Sequence, residues 1–335
     1  MIINNVKLVL DDDVVHGSLE VQHGRILAFA ESQSRLPQAL DGEGGWLLPG
    51  LIELHTDNLD KFFTPRPKVD WPAHSAMSSH DAMMVASGIT TVLDAVAIGD
   101  VRDGGDRLEN LEKMVNAVEE TQKRGLNRAE HRLHLRCELP HHTTLPLFEK
   151  LIERESVSMV SLMDHSPGQR QYADRSKYRD YYQGKYHLTN DEMDRFEAEQ
   201  MALAATWSQP NRQTIAAMCR ARRIALASHD DATEAHVAES HQLGSVIAEF
   251  PTTLAAAQAS RQHGMHVLMG APNIVRGGSH SGNVAAHQLA SHGLLDILSS
   301  DYYPASLLDA AFRIADAEDN AFTLAQAIRL VSQHP

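Results

Sequence analysis

The first fifty residues alternate apolar and polar positions in short runs. Segments 6–10, 18–22 and 25–29 read as strands, with Asp11-Asp12-Asp13 turning the chain after the first and His23-Gly24 forming a hairpin turn between the other two. Three short strands are too few to enclose a core, so they predict a small β-structure resting on something larger. From residue 50 the texture changes to short β-rich runs alternating with longer helical patterns. Strands are expected at 51–55, 89–94, 132–138, 158–164, 224–228, 245–249, 266–269 and 295–299. Strand–helix alternation implies right-handed crossovers and a parallel sheet, and eight such units predict a closed (β/α)8 barrel, an α/β TIM-type fold. Leu108, Leu111, Val115 and Val118 recur at three- and four-residue spacing, and Gly125 ends that helix. Thr189-Asn190-Asp191-Glu192 fits a capping box and opens a helix carrying Met193, Phe196 and Trp207. The long interval between the fourth and fifth strands makes 166–208 an insertion over the barrel mouth. The expected division is a β-portion at 1–49 and a barrel at 50–335.

Composition narrows the function classes. Of 335 residues, 43% are hydrophobic and 22% charged, which argues against a disordered or fibrous chain. The formal net charge of −14 repels nucleic acid and anionic membrane. No apolar run is long enough for a transmembrane helix, and Met1-Ile2-Ile3-Asn4-Asn5 does not open a signal peptide. Two cysteines, Cys137 and Cys219, give neither a disulfide framework nor a cysteine-based zinc cluster, so a reducing cytoplasm is expected. A Walker A motif is absent. Self-association stays open. Histidine, the commonest metal ligand, occurs 20 times.

In a barrel of this kind catalytic groups sit at the C-terminal ends of the strands. Those ends carry His55-Thr56-Asp57, Asp94, Glu138, Asp164-His165, Ser228-His229-Asp230-Asp231, Glu249 and Ser299-Ser300-Asp301. Strand alternation sets His55 and Asp57 on one face, where both can bind one ion. Glu138 has two oxygens and can bridge to a second ion, held by His165 and His229 through neutral imidazoles. Asp301 can bind the first ion and take a proton from water. Singly, each residue has an ordinary alternative as a loop or core group; six ligand-type residues at five strand ends point to a metal centre. Asp94, Asp164, Glu249 and the Asp230/Asp231 pair fit caps or supporting partners better. Parity also faces Glu53 and Arg136 inward, so Arg136 is expected to pair with Glu53 or another inward carboxylate.

The motifs Leu48-Pro49-Gly50-Leu51-Ile52-Glu53-Leu54-His55 and Ala86-Ser87-Gly88-Ile89-Thr90-Thr91-Val92 resemble the first two barrel strands of the amidohydrolase superfamily. Thr64-Pro65-Arg66-Pro67, Val69-Asp70-Trp71-Pro72, Arg136-Cys137-Glu138, Asp164-His165-Ser166-Pro167-Gly168-Gln169 and Met269-Gly270-Ala271-Pro272-Asn273 resemble, within it, the diphosphatases of phosphonate catabolism in the carbon–phosphorus lyase pathway. Many superfamily members have His-x-His at the first strand and a carboxylated lysine as bridge; here Asp57 and Glu138 take those places. The resemblance implies a small β-sandwich beside the barrel. Because the chain stops at Pro335, the C-terminal half of that sandwich is expected to be absent. It also implies two divalent cations and hydrolysis of a ribosyl 5-triphosphate to the 5-phosphate and pyrophosphate. Mixed His and carboxylate donors favour zinc, with manganese, iron or nickel as alternatives.

A triphosphate ester carries about four negative charges, so its site needs local cations. Candidates are Lys61, Arg66 and Lys68 after the first strand, and Arg170, Lys177 and Lys185 among the basic residues of the insertion. The loop Arg276-Gly277-Gly278-Ser279-His280 offers backbone N–H groups before a helix. The competing reading is an amidohydrolase acting on a cyclic amide or N-acetyl substrate, which calls for no such cations.

Overall fold

The computed structural model describes residues 1–66, 69–99, 106–279 and 282–335. The N-terminal strands are β1 (Ile2–Val9), β2 (Val14–Gln22), β3 (Arg25–Ala30), β4 (Leu40–Asp41) and β5 (Trp46–Leu47). They form one mixed sheet in the order β3-β2-β1-β4, with β5 also on β1, the N-terminal portion expected of the small β-structure. His23 and Gly24 both take positive φ (52° and 73°), the geometry a two-residue hairpin turn needs. β4 and β5 pair parallel to β1 and are two residues long, too short to leave a periodic pattern.

The barrel strands are β6 (Leu51–Thr56), β7 (Ile89–Ile98), β8 (Glu130–Glu138), β9 (Val157–Met163), β10 (Ala225–His229), β11 (Ile247–Glu249), β12 (His266–Gly270) and β13 (Ile297–Ser299). They form one parallel sheet in sequential order, β6 to β13. Each falls on an expected strand. The helices are α1 (Asn58–Phe63), α2 (Ala73–Ala86), α3 (Asp106–Lys123), α4 (Thr144–Leu151), α5 (Arg175–Tyr186), α6 (Asn190–Arg222), α7 (Glu234–Gln242), α8 (Leu254–Gln262), α9 (Ala271–Arg276), α10 (Ala286–Ser291), α11 (Ser306–Asp316) and α12 (Leu324–Arg329).

Alternation along the strands sorts side chains into two environments. On β8, Leu133, Leu135 and Cys137 pack under the helices, which leaves His134, Arg136 and Glu138 for the interior. Leu54, Leu93, Met159, Ala227, Ile247, Leu268 and Ile297, one from each of seven strands, form an apolar layer inside the barrel. Burial of this layer and of the larger helix–sheet clusters is the main driving force of the fold.

The first and last strands meet at a narrow seam. Asp301 N–H donates to His55 O (3.0 Å), and Asp57 N–H donates to Asp301 O (3.1 Å). Farther down, the turn after α12 takes over: Ile52 N–H donates to Val331 O (2.9 Å) and Leu298 N–H to Leu330 O (3.0 Å). Between β9 and β10 lie a 3₁₀ turn (Arg170–Tyr172), α5 and α6. Tyr172, Tyr178, Tyr182, Met193 and Phe196 give this segment its own apolar cluster. The Thr189–Glu192 capping box opens α6, which then runs unbroken for 33 residues through Pro210. No helix among the described residues is long and apolar enough to cross a membrane.

Candidate metal centre

The C-terminal strand ends open into a cavity of about 780 Å³, roofed on one side by α5. Two trios of donor atoms converge there: His55, Asp57 and Asp301, and His165, His229 and Asp230. Within each trio the atoms lie within 4.8 Å of one another. Glu138 lies against His165, its Oε1 accepting from His165 Nδ1. All six residues proposed as ligands from the sequence therefore line one cavity. Asp230, expected in a supporting role, joins them: its Oδ2 lies 3.6 Å from His165 Nε2 and 3.4 Å from His229 Nε2.

Glu249 organises the histidines from below. Its Oε1 meets His55 Nδ1 at 2.6 Å and its Oε2 meets His229 Nδ1 at 2.8 Å. An ionised carboxylate only accepts, so both Nδ1 atoms carry the hydrogen, and either ring in its neutral form turns an Nε2 lone pair toward the cavity. That is the tautomer a metal ion requires, and with the neighbouring carboxylates the donor set fits divalent cations. The two rings stack, 5.9 Å apart at 22°. Burial disfavours a charged His55, but Glu249 outweighs it and pushes the pKa up to about 9. His165 is pushed up to about 10, Glu138 outweighing burial in the same way. Cation binding here must therefore displace protons. His134 is a different case. It meets Leu54 O at 2.9 Å and Ser161 Oγ at 2.9 Å, both ring nitrogens are spent, and burial lowers its pKa to about 3.

Asp301 is raised above the ordinary carboxylate value by burial, with the charge of Asp57 adding to it. Asp230, Phe250 and Asp301 all have left-handed backbones (φ 56°, 55° and 55°). Such values are uncommon outside glycine, and all three fall within two residues of a strand end, where they turn the chain sharply beside the cavity. Arg136 is inward, as parity predicts, and of the inward carboxylates its partner is Asp57. Glu53 instead accepts from His55 N–H (2.7 Å) and Ser300 N–H (2.6 Å), and burial pushes its pKa up to about 7.

The proposed phosphate-binding residues separate into groups. Lys177, Lys185, Arg276, Gly278 and Ser279 line the cavity. Lys185 Nζ stands over the rings of Tyr181, Tyr182 and Tyr186 at 5.4, 5.8 and 5.4 Å. Gly277 ends α9 with φ 79°. The glycine loop thus follows the C-terminal end of a short helix, and the next helix opens only at Ala286. The dipole of α9 does not favour anions at that loop, so Arg276 must supply the charge. Arg170 does not reach the cavity lining: it is buried, ion-paired with Asp231 and, at 3.1 Å, with Glu239, and burial lowers its pKa to about 10. Lys61 also lies outside the lining, its Nζ 3.2 Å from Asn58 Oδ1 and 3.5 Å from Tyr302 O. Arg66 is off the cavity too, in a loop where it bridges to Val69. His280 and Lys68 lie outside the described residues.

No family model matches the chain. Over all 335 residues it is 83% identical to the α-D-ribose 1-methylphosphonate 5-triphosphate diphosphatase of Escherichia coli (strain K12), spanning 89% of that protein. The chain belongs to this diphosphatase family. Solved structures agree on the fold. An amidohydrolase from an environmental sample of Sargasso sea superposes with a TM-score of 0.56 at 12% identity, covering 99% of this chain and 78% of its own. A dihydroorotase gives 0.53 at 12% identity, covering 100% and 81%. These enzymes thus share the barrel fold of this chain. Strand-end reasoning gave Asp230 only a supporting place, although it follows His229 directly and lies beside both histidines. Parity called for an inward carboxylate opposite Arg136, and folding supplies Asp57.

Proposed function

We propose that this diphosphatase hydrolyses the triphosphate of α-D-ribose 1-methylphosphonate 5-triphosphate, giving the 5-phosphate and pyrophosphate. The observation that carries the reading is one cavity lined by two donor trios at its floor and by Lys177, Lys185 and Arg276 around it. His55, Asp57 and Asp301 would hold one divalent cation, and Glu138, His165 and His229, with Asp230 beside them, a second; zinc suits this mixed donor set best. Such ions supply Lewis acidity at phosphoryl oxygens and ease the deprotonation of water.

The chain's own groups do the rest. Asp301 takes the proton of the attacking water, and its raised pKa makes its carboxylate a better base than an ordinary aspartate. Lys177, Lys185 and Arg276 bind the phosphate oxygens and stabilise charge as it spreads toward the leaving group. The N–H groups of Gly277 and Gly278 are spent on Ile274 O (3.2 Å) and Asn273 O (2.9 Å), so the glycine loop contributes by bringing Ser279 to the cavity beside Arg276. A neutral cyclic amide or N-acetyl substrate calls for none of these cations. Two buried free thiols, Cys137 and Cys219, suit a reducing cytoplasm.

Pyrophosphate release tests the reading with metal-replete, metal-stripped and Asp301→Asn protein. Stripping is expected to abolish turnover, and Asp301→Asn to lower kcat by roughly 10²- to 10⁴-fold, the range for losing a general base. Unchanged turnover in Asp301→Asn removes that residue from its role.

A further inference from the structure

We propose that Arg136 makes the two halves of the centre unequal, so that the His165/His229 half binds its cation tightly and the His55/Asp57/Asp301 half binds its cation weakly and exchangeably. This rests on the metal reading above. On β8, Arg136 stands two residues before Glu138 on the same face, and both line the cavity. The guanidinium is largely buried (13% exposed), and its Nη1 donates to Asp57 Oδ1. Its Nε has no hydrogen-bond partner among the described residues.

An arginine cannot give up its charge, so this is a permanent cation set against one donor of the first trio. A divalent ion at His55, Asp57 and Asp301 must share or displace a charge-assisted hydrogen bond and then sit beside a like charge. The second trio is arranged differently. His165 meets Glu138 and Asp230, and His229 meets Glu249 and Asp230; each of these recorded contacts is to a carboxylate. The charge balance points the same way. Asp57, Glu138, Asp230, Glu249 and Asp301 set five carboxylates against the one guanidinium. A first divalent ion leaves the centre anionic, and a second brings it to neutrality. Without Arg136 the doubly loaded centre stays anionic and attracts its second ion more strongly, but is less hospitable to a polyanion.

Cobalt(II) titration of the metal-free full-length chain, with bound metal counted by equilibrium dialysis, tests this. Wild type is expected to take one equivalent tightly and a second at least about a hundredfold more weakly, and to keep close to one ion after desalting. Asp57→Asn should remove only the weak equivalent. Arg136→Met should bring the two affinities within about tenfold, so that desalted protein keeps close to two ions. Two equal sites in wild type overturn the proposal, as does loss of the tight equivalent in Asp57→Asn or an unchanged gap in folded Arg136→Met. If Arg136→Met fails to fold, the wild-type and Asp57→Asn isotherms still decide. A chain that takes up no cobalt at all overturns the metal reading as well, which separates the two failures.

Discussion

Among the described residues, two histidine–carboxylate–histidine bridges are closed by contacts of 2.6 to 2.8 Å, and they do different things. At the mouth, Glu249 joins His55 to His229. In the wall between β7, β8 and α2, Asp94 joins His80 to His131, at 2.6 and 2.7 Å. Both carboxylates are fully buried, and both are surrounded by ligand-type residues. The difference lies in where the remaining valences go. At the mouth the far ring nitrogens face a cavity. In the wall, His131 Nε2 is taken by Asp81 at 3.3 Å, Asp81 also accepts from the N–H groups of Arg128 and Ala129, and His80 Nδ1, which has no hydrogen-bond partner among the described residues, does not line the cavity. Residue types alone make a cluster; a site also needs unspent donors and a space in front of them.

The comparison can be broken by replacing each bridge. Asp94→Asn should cost about 3–5 kcal/mol of stability, because it strips the charge partner from buried histidines. Denaturant melts measure this, and metal content per folded molecule should not change; a loss of metal would erase the distinction. Glu249→Gln should do the opposite. Glutamine offers one acceptor and one donor, so one of His55 and His229 must adopt the tautomer whose Nε2 carries hydrogen. A 10- to 100-fold loss in metal affinity is expected by chelator competition, with thermal stability little altered. The smallest effect sharpens the wall half. Asp94 outweighs burial and raises the pKa of His131 above its ordinary 6.5. A raised histidine contributes stability that is complete below 6.5 and lost as pH climbs through the higher folded value. Wild-type Tm should therefore fall relative to His131→Asn as pH rises above 6.5, and parallel curves would remove the imidazolium from the wall.

The barrel was legible because strand periodicity and punctuation are local properties. The gathering of His55, Asp57, Glu138, His165, His229 and Asp301 at one cavity was legible because strand ends are local too, and each of these residues sits where a strand stops. What escaped was relational. Arg170 reads as one more cation in a basic segment, yet folding turns it inward onto Asp231. Lys177 and Lys185, eight positions apart on α5, read no differently and do line the cavity. The glycine loop reads as the lead into a helix, yet it trails the C-terminal end of α9. Burial and partnership of long charged side chains are set by tertiary packing, which leaves little trace in a one-dimensional pattern.

The seam between β6 and β13 ties two functions to one residue. Asp301 presents its carboxylate to the cavity while its own peptide groups stitch the last strand to the first. The ring of strands and the proposed proton acceptor therefore cannot drift apart independently. Loosening that seam would displace the carboxylate together with the last strand, so closure of the barrel and placement of the acid group are one event.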